Sequence, residues 1–319
     1  MMHRLLLFGI LLMFWRCAST DQPQPAPEPV EPVKIDSCLN LPDNSAIKTF
    51  NLETPVFTNL TDSLSYGTKV YLLPDTTLNA AITEISVDSG KIWVPAKCLT
   101  LTNSGEVWAR RRYDKLTSPV AKKSYVIYYK RVLIVGNSIT GHGPAPELGW
   151  TGDWGMAASS AEKDYVHIIS KKLRALNPNV EIKIQYAVEF ERTYSGFDYK
   201  SLESLADYKP DLIIMRIAEN TDVDYIYDYE NRYTNYVAKL TSKTDAKVIC
   251  TTSFWKSKSG VTAVIKKVAS DKGYYLADLT PLWSDNSYSA IDLFLNPDVG
   301  SHPSDKGMKA IADLISVYF

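Results

Sequence analysis

The sequence has few of the residues from which metal and redox sites are built. Its 319 residues include only four cysteines and four histidines. No Cys-x-x-Cys pair occurs, and no histidine lies at zinc-ligand spacing from a second histidine or a cysteine. We therefore expect neither a metal nor a cofactor.

An excess of charge of either sign is also missing. The 35 Lys and Arg residues nearly balance the 36 Asp and Glu residues, and the net charge is −1. A protein that binds nucleic acid needs a basic surface for the phosphate backbone. We therefore expect no nucleic-acid partner.

No apolar run is long enough to cross a bilayer as a helix, which takes about 20 residues. The N-terminal run extends only from Leu5 to Trp15, after a basic start, and fits a secretory signal over residues 1–17. Cys17 ends this segment, where a bacterial lipoprotein would be cut and lipidated. We expect an exported protein, with Cys17 either carrying a lipid anchor at a membrane or lying beside an ordinary cleavage site.

Two segments of different composition follow. Residues 18–37 are rich in alternating prolines, which keep a chain extended and leave little apolar surface for a core, so they form a linker. Residues 38–124 contain short segments rich in valine, isoleucine, threonine and aromatics between turn sequences, which predicts a small all-β barrel. Cys38 and Cys98 either pair in this exported domain or stay unpaired, and the unpaired alternative is preferred.

Part of the predicted β domain resembles bacterial SH3-like domains. The stretches "YGTKVYLLPD" and "GKIWVPAKCLTL" are similar to the G-x-x-V-x-V and G-W-V-P-x-x-Y-L segments that recur in those domains. The resemblance implies contact with cell-wall or glycan material, although such domains also serve as spacers.

From residue 125 the pattern changes to alternating strands and helices. Five apolar stretches, at 132–136, 181–188, 211–218, 247–253 and 274–279, are separated by segments of helical periodicity. Continuous apolar runs are typical of strands that are buried on both faces of a parallel sheet. The pattern predicts an α/β three-layer sandwich over residues 125–319, with its site at the carboxyl ends of the strands.

The first of these strands runs into "VLIVGNSITGHG", residues 132–143, which is compatible with three chemistries. A P-loop needs a lysine and a serine or threonine after its second glycine, but His142 and Gly143 occupy those positions. An α/β-hydrolase elbow needs a second glycine where this chain has Thr140, and in that fold several strands precede the serine. The third interpretation makes Ser138 a nucleophile at the end of the first strand.

A nucleophilic serine needs a base, a group that orients the base, and donors for an oxyanion. His302 lies in the polar loop "NPDVGSHPSDKGM", four residues after Asp298, so an imidazole and a carboxylate can turn towards one pocket. Asn220 follows the third strand, where its amide can donate to an oxyanion. Each has an ordinary structural explanation when taken alone, but together with Ser138 they favour a hydrolytic site.

With these residues the chain resembles the SGNH hydrolases of the GDSL esterase/lipase family. Gly136-Asn137-Ser138 matches the family's first block, with Ser138 as nucleophile and oxyanion donor. Asn220 matches the oxyanion asparagine of the third block, and Asp298 to His302, followed by a proline, corresponds to the Asp-x-x-His-Pro block. The resemblance covers about residues 130–319 and implies a flavodoxin-like sandwich and a Ser-His-Asp triad that needs no cofactor.

Two features depart from the family pattern. The spacing from Asp298 to His302 is one residue longer than usual, so a serine–histidine dyad held by a backbone carbonyl remains an alternative. The second block normally offers a glycine N–H to the oxyanion, but none occurs in "VEFERTYSGFD" at the expected place. The backbone N–H of Phe190 or Glu191 is available for that role.

The resemblance implies a serine esterase that acts through an acyl-enzyme. Export, the linker and the absence of a long apolar lid together favour acetyl esters on a glycan over insoluble lipid. His142, Trp150 and Trp154, in the insertion after the nucleophile, are candidates to bind the substrate, because aromatic rings stack on sugars. The tryptophans can equally pack the insertion onto the body of the domain.

Two other functions fit the same sequence. A GDSL-type lipase or lysophospholipase would use the same three blocks on a lipid ester. A surface-anchored glycan-binding or wall-binding protein with a decayed site would explain the altered second block and the longer Asp–His spacing. The retained Ser138, Asn220 and His302 argue against the decayed site.

Overall fold

The computed structural model describes residues 51–59, 61–76, 78–222 and 226–319. The predicted signal segment, the lipid anchor at Cys17, the linker and Cys38 all lie outside these residues. Within them, no helix is long and apolar enough to cross a membrane.

Thirteen strands occur in the described chain. They are β1 (Ser63–Ser65), β2 (Thr68–Tyr71), β3 (Ile82–Ser86), β4 (Val94–Pro95), β5 (Cys98–Leu101), β6 (Gly105–Tyr113), β7 (Leu116–Thr117), β8 (Ala121–Tyr128), β9 (Arg131–Gly136), β10 (Glu181–Tyr186), β11 (Leu212–Arg216), β12 (Lys247–Thr251) and β13 (Tyr275–Ala277).

Seven α-helices accompany them in the described residues, four of them long. They are α1 (Tyr165–Leu176), α2 (Val188–Thr193), α3 (Glu203–Asp207), α4 (Tyr229–Thr241), α5 (Ser259–Lys272), α6 (Pro297–Gly300) and α7 (Asp305–Ser316). Side chains cap the starts of α1 and α7, and a glycine follows the end of α5. The side chain of Asp164 caps α1 by accepting the His167 N–H at 2.7 Å, and α5 ends at Gly273 with a left-handed φ of 66°.

The five strands β9 to β13 form one parallel sheet, in the order β10-β9-β11-β12-β13. Gly136, the last residue of β9, pairs with Tyr186 of β10 on one side and Arg216 of β11 on the other. The three strands therefore end level with one another. The segments that follow them, which begin at residues 137, 187 and 217, meet at the same edge.

Alternate side chains of the sheet enter two separate cores, because successive residues of a strand point to opposite faces. Leu133 and Val135 pack in one core with residues of α2, α4 and α5. Val132 and Ile134 pack in the other with residues of α1 and α7. The predicted α/β architecture with a parallel sheet and helices on both faces is confirmed.

The residues before β9 form a β-rich region with a core of its own. A largely antiparallel sheet has the order β1-β8-β6-β3-β4, with β7 on β6, and β2 pairs separately with β5. Val107, Tyr125 and Ile127 are among the side chains of its core. Strand β8 crosses the predicted boundary at residue 124, and only two residues separate it from β9. The SH3-like assignment and the domain division stay predictions.

The cysteines differ from the preferred expectation. Cys98, which is fully buried on β5, is disulfide-bonded, whereas the sequence interpretation had favoured an unpaired thiol. Its proposed partner Cys38 lies outside the described residues. Cys250 is free and buried on β12, where burial raises the pKa of its thiol to about 12. Such a thiol behaves as a small apolar side chain.

Candidate active site

A tight turn after β9 presents Ser138 at the carboxyl edge of the sheet. The N–H groups of Thr140 and Gly141 both donate to the carbonyl of Asn137, at 2.9 and 3.1 Å. A Cβ atom at Gly136 would lie 1.7 Å from the Thr140 hydroxyl oxygen, so only glycine fits before this turn. The turn leaves Ser138 half-buried, between the buried Asn137 and Ile139.

His302 meets Ser138 although 164 residues separate them along the chain. The Oγ atom of Ser138 lies 2.7 Å from Nε2 of His302. His302 is 5% exposed and lies in the loop between α6 and α7. The two side chains are thus placed as a hydroxyl and the base that can take its proton.

The imidazole of His302 is oriented by a backbone carbonyl and not by a carboxylate. Its Nδ1 atom lies 2.8 Å from the carbonyl oxygen of Asp298. A carbonyl can only accept, so Nδ1 carries the proton and Nε2 is left free to accept from Ser138. This is the tautomer that a general base needs.

The Asp298 carboxylate therefore does not take the place that the sequence comparison assigned to it. Asp298 is in the first turn of the short helix α6, where the side chain of Asn296 accepts its N–H at 2.8 Å. The helical turn directs the carbonyl of residue 298 towards residue 302, and the carboxyl group is exposed. The one-residue-longer spacing explains this contact. Residues 298 and 302 are four positions apart, so one helical turn brings the carbonyl of Asp298, and not its carboxylate, to the imidazole of His302.

Burial keeps His302 neutral. Loss of water around the ring lowers the pKa of His302 below its ordinary value of 6.5, although the hydrogen bond to the Asp298 carbonyl and the charge of Glu219 act in the opposite direction. The nearby His142 lowers it further. A neutral imidazole at neutral pH can accept a proton from Ser138.

Trp255, which follows β12, supports the histidine from the side. Its ring stands edge-on to His302, with 5.5 Å between centroids and 89° between planes. Its indole N–H donates to the carbonyl of Ser301 at 2.8 Å. Trp255 thus fixes both the ring of His302 and the residue before it. The sequence offered no signal for this contact beyond its position after a strand.

Asn220 is held by a buried carboxylate that the sequence analysis did not recognise. The Nδ2 atom of Asn220 donates to one oxygen of Glu191 at 2.8 Å. The other oxygen of Glu191 accepts the Asn137 amide at 3.0 Å and the Ala218 N–H at 2.7 Å. Because Asn137 is adjacent to Ser138, one carboxylate ties the segment after β11 to the nucleophile turn.

A second buried carboxylate and an arginine complete this polar network. Glu219 accepts from Arg216 at 2.7 Å and from Asn137 at 2.8 Å. Burial acts to raise the pKa of Glu219, but the Arg216 guanidinium outweighs it and holds that pKa below its usual range. Burial and the charge of Glu219 raise the pKa of Glu191 to about 7. The Asn220, Asn137 and Ala218 groups all donate to Glu191, so they favour its ionised form.

Two donors near Ser138 have no protein partner in the described residues. One is the backbone N–H of Ser138, and the other is the second amide N–H of Asn220, whose first points to Glu191. Of the two backbone groups considered for a third donor, that of Glu191 is taken by the carbonyl of Ala187 at 3.0 Å. That of Phe190, at the start of α2, is left as the candidate.

The insertion after the nucleophile packs largely against itself. Trp150 is 3% exposed, its indole N–H donates to the carbonyl of His142 at 3.1 Å, and its ring meets Trp154 edge-on at 5.7 Å. A ring so deeply buried cannot present a face to a substrate, which corrects the candidate role of Trp150. Trp154 donates to the carbonyl of Ala158 and is half-buried. His142 remains near the site, since it acts on the pKa of His302.

The described residues contain no group of three or more His, Cys, Asp or Glu side chains that could hold a metal ion.

Comparison with known proteins yields structural likenesses only. No family model matches the chain, and no curated protein sequence matches it. An acetyl xylan esterase structure is 18% identical, with a TM-score of 0.37, over 59% of this chain and 98% of its own. A two-domain esterase active on acetylated mannans is 15% identical, with a TM-score of 0.37, over 59% of this chain. The match spans about half of that esterase's own length (48%).

A family two carbohydrate esterase from Cellvibrio japonicus is 17% identical, with a TM-score of 0.37, over 74% of this chain and 80% of its own. Identities and TM-scores this low do not transfer a function.

Proposed function

We propose that this protein is an exported serine esterase that removes acyl groups, in the simplest case acetyl groups, from a carbohydrate. The contact of 2.7 Å between Ser138 Oγ and His302 Nε2 carries the proposal. A hydroxyl within hydrogen-bond reach of a buried, neutral imidazole of the correct tautomer is the arrangement of an activated nucleophile. We would not expect a decayed site to retain this contact between hydroxyl and imidazole.

In the proposed first half-reaction, Ser138 Oγ attacks the ester carbonyl while its proton moves to His302 Nε2. The tetrahedral intermediate collapses when the bond to the alcohol oxygen breaks and His302 returns the proton to that oxygen. In the second half-reaction, water attacks the acyl-enzyme while His302 takes its proton. The bond from the acyl carbon to Ser138 Oγ then breaks, His302 returns the proton to Oγ, and the carboxylic acid leaves. The carbonyl of Asp298 stabilises the imidazolium in both halves, in place of a carboxylate.

The negative charge on the carbonyl oxygen needs donors that are in place before the reaction. The unpartnered N–H groups of Ser138 and Asn220 supply two of them. The hydrogen bond from Asn220 Nδ2 to Glu191 orients the amide so that its nitrogen, and not its oxygen, faces the substrate. We assign Phe190 N–H as the third donor.

Fluorophosphonate labelling tests the assignment of the nucleophile. We expect a fluorophosphonate probe to attach covalently to Ser138 alone, because no other serine in the described residues has its Oγ on a histidine nitrogen. Peptide mapping by mass spectrometry identifies the site. An unlabelled protein under conditions where it is folded would support the decayed, non-catalytic alternative, and turnover of long-chain esters alone would support the lipase.

The rate of hydrolysis should fall at acid pH. His302 acts as a base only when neutral, and burial lowers its pKa, so activity is lost as the pH falls through a value below 6.5. We expect kcat/KM for p-nitrophenyl acetate to have two acid limbs, one at about 7 from Glu191, whose ionised form holds the Asn220 amide, and one below 6.5 from His302. Glu191→Gln has no titrating group at 191, so it should keep only the His302 limb. A midpoint above 7 in that variant would contradict the assignment.

A further inference from the structure

A cleft of about 490 Å³ lies beside the loop that carries His302. Its walls come from three places: the segment after β12, the segment after β13, and the residues just before His302. Two tryptophans line it, Trp255 from the first segment and Trp283 from the second. The sequence around the nucleophile does not indicate this cleft, because the cleft lies at the opposite end of the sheet from β10.

Both indole rings are fixed by their N–H groups. That of Trp255 donates to the carbonyl of Ser301 at 2.8 Å, and that of Trp283 donates to the carbonyl of Ser253 at 3.1 Å. Since each N–H is already used, what the rings offer to a ligand is apolar aromatic surface. Rings that are already held in place lose little conformational entropy when a ligand binds.

The rest of the lining is mixed. Phe254 and Leu282 extend the apolar part, and the polar part includes Lys256, Asp285, Asn286, Ser289 and Asp298. The Asp298 carboxylate is exposed and is not the partner of His302, which bonds the carbonyl of the same residue. Carboxylates accept hydrogen bonds from hydroxyl groups. A fatty chain in this cleft would cover the exposed Asp298 carboxylate without a hydrogen bond to replace its water, at a cost in desolvation.

The chemistry of the site determines which part of an ester lies here. The alcohol oxygen receives its proton from His302, so it must lie within hydrogen-bond reach of that ring. The acyl carbonyl oxygen faces the N–H groups of Ser138 and Asn220. The alcohol part of the substrate therefore lies beside His302, and Trp255, which lines the cleft, has its ring 5.5 Å from that of His302 between centroids.

We propose that this cleft is the binding site for the alcohol part of the substrate, and that this part is a neutral saccharide. Pyranose rings combine apolar C–H faces with hydroxyl groups at the edge, and they match fixed aromatic rings rimmed by carboxylate, amide and hydroxyl groups. The inference rests on the proposed esterase function and specifies its substrate class. It gives the Asp298 carboxylate a role in recognition.

The test compares two substrates in one variant. We expect Trp283→Ala to lower the ratio of kcat/KM for an acetylated oligosaccharide to kcat/KM for p-nitrophenyl acetate by roughly three- to tenfold, the worth of one aromatic contact. The loss should appear in KM, since the contact is made in ground state and transition state alike. Trp108→Ala is the matched control, because Trp108 is half-exposed on β6, under Lys122, and does not line the cleft.

A second variant fills the cleft without removing any packing. Ser257 is exposed on its lining, and Ser257→Trp should lower the same ratio by occluding the space. An unchanged ratio in both variants, with normal thermal unfolding, would overturn the inference and leave the esterase intact. Failure of the proposed function itself gives a different result, which is no turnover of either substrate by the wild-type protein.

Discussion

Ser138→Ala should reduce kcat/KM for p-nitrophenyl acetate by at least about 10³-fold, because without Oγ no acyl-enzyme can form. The small residual rate would come from the oxyanion donors alone. Ser138 is half-buried at a surface turn, and its hydroxyl bonds only His302 in the described residues. The midpoint of thermal unfolding should therefore change little. Steady-state kinetics and thermal unfolding on the same preparation check both statements.

Asp298→Asn is the matched comparison for Ser138→Ala. A triad acid that orients its histidine through a carboxylate is worth about 10⁴-fold in kcat. Here the orienting group is the Asp298 carbonyl, which asparagine keeps. We expect less than a tenfold loss on p-nitrophenyl acetate. A loss of several thousandfold would show that the carboxylate moves onto His302 during the reaction, and near-normal turnover in Ser138→Ala would refute the nucleophile.

The position of the site followed from the sequence because parallel strands share one edge. Ser138 follows the first apolar run and Asn220 follows the third, so the sequence places both at this edge. The register of the sheet, in which Gly136 lies level with Tyr186 and Arg216, makes their convergence a geometric necessity. His302 could be added because few histidines compete for the role of base.

Other features depended on information that a residue pattern does not contain. The spacing from Asp298 to His302 is compatible with a carboxylate or a carbonyl contact, and only the turn of α6 decides between them. The burial of Trp150 depends on how the insertion folds on itself. Glu191 lies in "VEFERT". Residues three or four apart share one face of a helix, so the environment of Glu191 depends on which face of this segment is buried. Its acidic neighbour Glu189 is exposed, so charge alone could not mark Glu191 as buried.

Glu191→Gln should lower kcat by about 10²- to 10³-fold, the range for loss of one oxyanion donor. Glutamine keeps one oxygen for the Asn137 amide and the Ala218 N–H, but its amino group then faces the Asn220 amino group. Two donors cannot bond, so the Asn220 amide turns over and presents its oxygen to the developing negative charge. The loss should be in kcat, with KM little altered.

Glu189→Gln is the matched control for this effect, since it makes the same change two residues away on the exposed side of α2. The double variant Glu191→Gln with Asn220→Ala then separates positioning from general damage. If Glu191 acts through Asn220, the double variant is no slower than Asn220→Ala, because the group to be oriented is already gone. If the losses in kcat of the two single variants instead add in the double variant, Glu191 acts by stabilising the Asn137 turn. A catalytic effect that vanishes with Asn220 can come only from the orientation of its amide.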